Sequence, residues 1–226
     1  MITIASYLKY IASDYWSLKL YNDYGIKVEL DNGVTEGHSI IRQIFNILNP
    51  ISTSLIKDCG INIIFIRSDM GRNRPFYPNH GYYSGNLIAL NENIFHEPDL
   101  PDDFIDHRGY FITRPEQTLL HEFGHSYDEH RGNLSLKSDW LKLSGWSEVP
   151  QPGLKRLHIQ ELGAPEIVGE WYYNPEIEDG GFTRFYAKRN PWDDWADSFS
   201  FFVADRKNKL PPNKLIYFNK LLKKYY

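Results

Sequence analysis

Residues 113–132, TRPEQTLLHEFGHSYDEHRG, combine helix punctuation with chemistry-bearing side chains. Thr113 and Glu116 make a capping-box pattern around Pro115, and Gly132 closes the stretch, so one helix of about 16 to 18 residues is expected. On a helix, His121 and His125 stand about 40° apart around the axis and about 6 Å apart along it, projecting both imidazoles toward one point. Two neutral imidazoles so placed can share a zinc ion. Glu122 follows the first histidine and is placed to reach a metal-activated water without binding the metal, the general-base position of HExxH hydrolases. Gly124 removes a side chain beside that point, while Leu119, Leu120, Phe123 and Tyr127 supply apolar surface to dock the helix.

A third ligand is required. The metzincin pattern would need Gly at 128 and His at 131, but the chain has Asp128 and Arg131. Downstream candidates are His158, Glu161, Glu166, Glu170, Asp193, Asp194 and Asp197. Asn190-Pro191 reads as a helix start, after which Trp192, Trp195, Ala196, Phe199 and Val203 form an apolar stripe. Asp193 and Asp197 share one face of that helix. A carboxylate commonly completes a two-histidine zinc shell, and a further carboxylate accepts the remaining ligand-histidine N–H. Asp193 suits the first task and Asp197 the second. Asp194 reads as a first-turn acid complementing the helix dipole.

HEFGHSYD together with FYAKRNPWDDWADSF at 185–199 resembles the zinc peptidases related to the catalytic domain of anthrax lethal factor. Their later helix has the form ExxAExF, with a tyrosine seven residues before its first glutamate. The pattern falls here on Asp193, Ala196, Asp197 and Phe199, and the tyrosine on Tyr186. The resemblance implies a zincin fold, one Zn2+ held by His121, His125 and Asp193, Glu122 as general base and Tyr186 as oxyanion donor. The sequence departs from the family in carrying aspartate at both glutamate positions. Either the helix then sits closer to the metal or the site is weakened. The resemblance covers about residues 75–205.

Around this core, residues 2–22 and 35–48 read as helices, with Ile40, Ile41, Ile44, Phe45 and Leu48 at helical spacing. Residues 26–30, 61–68 and 87–90 read as strands, and 71–85 as a long loop able to act as a lid. The expected class is α+β, a zincin-like domain with a small mixed sheet. We read 1–226 as a single metallopeptidase domain: a helical N-terminal part (1–60), a catalytic core (61–205) and a basic C-terminal helix (206–226). An extended peptide or protein substrate is expected along the strand near 85–90, with Tyr82, Tyr83, Trp171, Tyr172, Tyr173 and Phe185 as candidate pocket walls. His38, His80, His96, His107, His130 and His158 read as ordinary residues.

Composition narrows the alternatives. The 226 residues carry 25 bases against 29 acids, a net charge of −4, which argues against nucleic acid as the main partner. Seven of the bases lie in 206–226 with no acid, a cationic end with an apolar face of Leu215, Ile216, Phe218, Leu221 and Leu222. That helix is expected to pack on the acidic body with its lysines exposed; a membrane-surface role is the rival. The single cysteine, Cys59, excludes a disulfide scaffold, and without a GxSxG motif a serine or cysteine hydrolase is unsupported. No cleavable leader or membrane span is read, so a soluble chain is expected, cytoplasmic or exported by a signal-independent route. The alternative function is a zincin-fold binding module that has lost catalytic strength.

Overall fold

The computed structural model describes residues 14–68, 80–96, 113–149, 153, 171–174, 176, 181–205 and 210–226. Asp14 starts α1 (Tyr15–Tyr24) by accepting the Trp16 and Ser17 amides at 2.9 and 3.0 Å, and Gly25, at φ 78°, ends it in the left-handed conformation open to glycine. Then follow β1 (Lys27–Leu30), α2 (Gly37–Leu48) and α3 (Thr53–Asp58). All five apolar residues expected on the inner face of α2 are buried. Residues 2–13 of the expected first helix lie outside the described residues.

Strands β2 (Ile63–Arg67), β3 (Gly81–Ser84) and β4 (Leu87–Asn91) complete a four-stranded mixed sheet in the order β1-β2-β4-β3. β1, β2 and β4 run parallel, and β3 is antiparallel to β4. Register aligns Val28 with Ile64 and Ile88, and Leu30 with Ile66 and Leu90, so two buried rows of branched side chains cross one face. This corrects two expectations. Residues 81–84 form a strand instead of the end of a loop, and they, not 85–90, form the sheet edge, because both sides of β4 are already paired. The remainder of the expected lid, 71–79, lies outside the described residues.

A short helix, α4 (Asn93–His96), precedes the 17-residue helix α5 (Arg114–His130). Pro115 occupies its first turn as expected, but the Thr113 side chain makes no capping bond, so the capping box is not formed. α5 lies against β3 and β4 on one side and α7 (Pro191–Val203) on the other. Between them come a 3-10 turn at Leu134–Leu136, α6 (Ser138–Ser144), and β5 (Trp146–Ser147) paired antiparallel with β6 (Tyr172–Tyr173). Asp128, where the metzincin glycine would stand, anchors that 3-10 turn by accepting the Ser135 amide at 2.7 Å and its hydroxyl at 2.5 Å.

Tyr127 of α5 stacks on Trp195 and Phe199 of α7, with ring centroids 6.0 and 5.6 Å apart. Side chains as large as these normally hold helices well separated, yet at Gly124 the backbones nearly touch. A Cβ there would lie 2.9 Å from Cα of Ala196 and 3.0 Å from its carbonyl oxygen. The C-terminal helix α8 (Pro212–Leu221) seats Phe218 against Trp195 and Trp140 at 5.1 and 5.8 Å. Leu222 is buried beside it, whereas Ile216 of the expected apolar face is 69% exposed. Among the described residues no helix is long and apolar enough to cross a membrane.

Candidate metal centre

The close crossing of α5 and α7 brings His121, His125 and Asp193 together. His121 Nε2 and His125 Nε2 lie 3.0 Å apart, and Asp193 Oδ1 is 3.5 Å from the first and 3.4 Å from the second. Two imidazole lone pairs and a carboxylate oxygen at such separations require a proton or a cation between them. Zinc bonds of about 2.0–2.1 Å imply tetrahedral ligand-to-ligand edges of about 3.3–3.4 Å, so the triangle fits that ion. His121 and Asp193 are buried and His125 is half-buried. Asp193 is held from behind. Asn190, the N-cap of α7, accepts the Asp193 amide at 2.8 Å and donates Nδ2 to Asp193 Oδ2 at 2.7 Å, with Arg189 Nη1 at 3.6 Å from the same oxygen. One carboxylate oxygen is thus engaged and the other faces the histidines.

Asp197 takes the position expected behind His121. Its Oδ1 lies 2.6 Å from His121 Nδ1. An ionised carboxylate only accepts, so Nδ1 carries a proton, and it is Nε2, toward Asp193, that presents the lone pair once the ring is neutral. Gln117 Nε2 donates to the same oxygen at 3.0 Å, and Arg184 closes a two-pronged pair, Nε to Oδ2 and Nη2 to Oδ1, both at 2.7 Å. Burial opposes the Asp197 charge, but Arg184 and His121 outweigh it and hold the carboxyl below its usual range. Burial likewise opposes the Asp193 charge, and the two imidazoles and Arg189 override it, again lowering the carboxyl. Burial also disfavours the imidazolium of His121, yet Asp197 and Asp193 raise it to about 9 in the metal-free chain.

Glu122 is buried on the neighbouring position of α5, and desolvation raises its carboxyl despite the opposing pull of His121 and His125. Tyr186 stands in a 3-10 turn, Phe185–Lys188, with its ring edge-on to His121 at 5.6 Å and 37% exposed. The Arg184 and Arg189 guanidinium carbons lie 4.8 and 4.4 Å from its ring centroid. Burial and the nearby Asp193 charge push the phenol up, so it stays protonated.

Other expectations fare differently. Asp194 is not a solvated dipole partner: it is fully buried, ion-paired with Lys214 of α8 and accepting Trp146 Nε1–H at 3.1 Å. Lys214 therefore corrects the expectation of exposed lysines. It carries no exposed surface and lies 4.9 Å from the Phe182 ring centroid and 5.1 Å from that of Trp140. Trp171 and Tyr173, expected as pocket walls, are buried with Trp146 and Phe182 in a separate aromatic cluster beneath the Tyr186 turn. His38 pairs with Asp14, His96 Nδ1 lies 3.8 Å from Glu36, and His130 Nδ1 donates to the Ser126 carbonyl at 2.8 Å, all apart from the centre. His80 is driven down to about 4 by burial and by Arg114 and Arg184. His107, His158, Glu161, Glu166 and Glu170 lie outside the described residues, as does the Phe185 side chain. Arg184, Gln117 and the Asn190 clamp escaped the sequence reading; only Asn190, as an N-cap before proline, carried a local signal.

No protein-family model matches the chain, and no curated protein matches it in sequence. Among solved structures the fold is similar to that of a "putative zinc-binding metallo-peptidase" from Bacteroides caccae ATCC 43185. The TM-score is 0.51 at 15% identity, covering 98% of this chain and 87% of that one. At that identity the likeness concerns the fold alone. The chain therefore has a metallopeptidase-like α+β fold, with a small mixed sheet and a His-His-Asp group suited to a metal ion.

Proposed function

We propose that the chain is a zinc-dependent endopeptidase of the lethal-factor-like kind, with one zinc per chain held by His121 Nε2, His125 Nε2 and Asp193 Oδ1. The observation that carries this reading is the triangle of three donor atoms with edges of 3.0, 3.4 and 3.5 Å, one of its histidines fixed in the ligating tautomer by Asp197. When bound, zinc supplies Lewis acidity that lowers the pKa of water and polarises a carbonyl. Glu122, whose carboxyl is raised by desolvation, takes the proton of the attacking water on its carboxylate and hands it to the leaving amine nitrogen as the peptide C–N bond breaks. The Tyr186 hydroxyl, protonated and beside His121, donates to the developing oxyanion. An extended peptide would add to the outer edge of β3, which is unpaired among the described residues and lies against α5, as a further backbone-paired strand.

Aspartate at 193 is one methylene shorter than the family's glutamate, which motivates the weakened-module alternative. The near contact of Gly124 and Ala196 favours catalysis, because at so close a crossing the shorter carboxylate still comes within 3.4 and 3.5 Å of the two imidazoles. Metal analysis and a peptide-library digestion test both parts. The wild type is expected to load about one zinc and cleave. Glu122→Gln is expected to load zinc and lose turnover by about 10²–10⁴-fold. A folded wild type that takes no zinc removes the metal centre, and equal turnover by Glu122→Gln removes its role as base.

A further inference from the structure

We infer that Arg184 is a positioning residue for the metal centre, fixing the Asp197 carboxylate beneath His121 and bracing the ring of Tyr186 with one guanidinium group. The inference rests on the zinc reading above and adds a residue that neither the HExxH motif nor the later helix contains. Asp197 Oδ1 accepts from three donors, His121 Nδ1, Gln117 Nε2 and Arg184 Nη2, at 2.6, 3.0 and 2.7 Å. Only Arg184 also engages Oδ2, at 2.7 Å. Two parallel bonds from a planar fork fix the plane of a carboxylate, whereas His121 and Gln117, both on Oδ1, leave it free to pivot.

The same guanidinium lies 4.8 Å from the Tyr186 ring centroid, within cation–π range. Arg184 immediately precedes the 3-10 turn that carries Tyr186, and the Ala187 amide bonds back to its carbonyl at 3.2 Å, so fork and phenol are mechanically joined. A buried acid on α7 does not need such a fork merely to be neutralised. Asp194, equally buried one turn earlier, is satisfied by the single ammonium of Lys214 and a tryptophan N–H. Of these two acids, the one held bidentately is the one that orients a ligand histidine.

Arg184→Gln and Arg184→Lys test this, read by zinc affinity in chelator competition, by the visible bands of the cobalt(II)-substituted protein, and by thermal unfolding without metal. Partners behind ligand histidines typically carry 10–100-fold in metal affinity, so Arg184→Gln is expected to weaken zinc by about that factor and to alter the cobalt bands. Arg184→Lys keeps the charge but not the fork, and is expected to lose roughly 3–10-fold with a smaller spectral change. A merely structural role would lower the unfolding midpoint and leave the cobalt bands of the folded protein as they were. Should Arg184→Gln not fold, Arg184→Lys decides alone. Folded variants within about twofold of wild-type zinc affinity, with unchanged bands, overturn the inference while leaving the zinc reading standing. A folded wild type that binds neither metal overturns both.

Discussion

The two sides of α7 handle buried acids in opposite ways. Toward α5, Asp193 and Asp197 are held ionised by imidazoles and arginines, and Asp193 keeps one oxygen turned to a pair of nitrogen donors. Toward α8, Asp194 and Lys214 meet in an enclosed pair, and burial acts on both, raising the carboxyl and lowering the ammonium. The first side turns three ligand atoms toward one point; the second is closed. Burial alone therefore does not mark a reactive centre. A buried acid becomes chemically available when other groups satisfy one of its oxygens and the second is turned toward other ligand atoms.

The sharpest way to break this contrast is Asp193→Ala. Zinc sites bind with roughly 10–16 kcal/mol, so removing one of three protein ligands is expected to cost about 5 kcal/mol, over a thousandfold in affinity by chelator competition. Asp194→Ala should leave affinity nearly unchanged, and the reverse order would move the ligand by one position. Next comes Lys214→Met. It strands the Asp194 carboxylate and is expected to lower unfolding free energy by about 3–5 kcal/mol in urea titrations while zinc affinity per folded molecule holds.

The pH response separates the two sides further. His121 is raised to about 9, so its protonated form stabilises the metal-free chain fully below its unfolded value of about 6.5, and that contribution is lost as pH rises through about 9. The loss is expected to reach about 3 kcal/mol. Zinc displaces the same proton, so affinity should rise across that window while metal-free stability falls. Denaturation curves of both forms at the two ends check the signs, and a flat metal-free profile defeats the assignment. The smallest effect expected is from Gly124→Ala. Its methyl meets Ala196 backbone and should cost about 1–3 kcal/mol, with weaker zinc binding as the helices part. Unchanged affinity would mean that the crossing does not set the ligand distances.

What was legible in the sequence follows the range of the interactions. His121 and His125 were visible because four-residue spacing on a helix fixes their relation locally, and Asp193 and Asp197 for the same reason. Lys214 was not, because a lysine in a basic, proline-flanked helix is indistinguishable from its solvated neighbours until the partner acid is known. Arg184 had no signal at all, since its fork is defined by a residue 13 positions away on another element. The edge strand Gly81–Ser84 was hidden by the asparagines and prolines before it, although Tyr82-Tyr83 is a strand-favouring pair. Thr113 shows the converse, a local capping pattern that the fold leaves unused.

The helix crossing at Gly124 and Ala196 also dictates when the centre can exist during synthesis. His121 and its acid partner Asp197 are 76 residues apart, so the histidines leave the ribosome well before the acids that orient and complete them. At about 5–20 residues per second this interval lasts on the order of 4–15 s. On the zinc reading proposed above, metal capture would be a late event of maturation, after α7 docks, with the nascent chain reaching a near-native arrangement without an ion to template it.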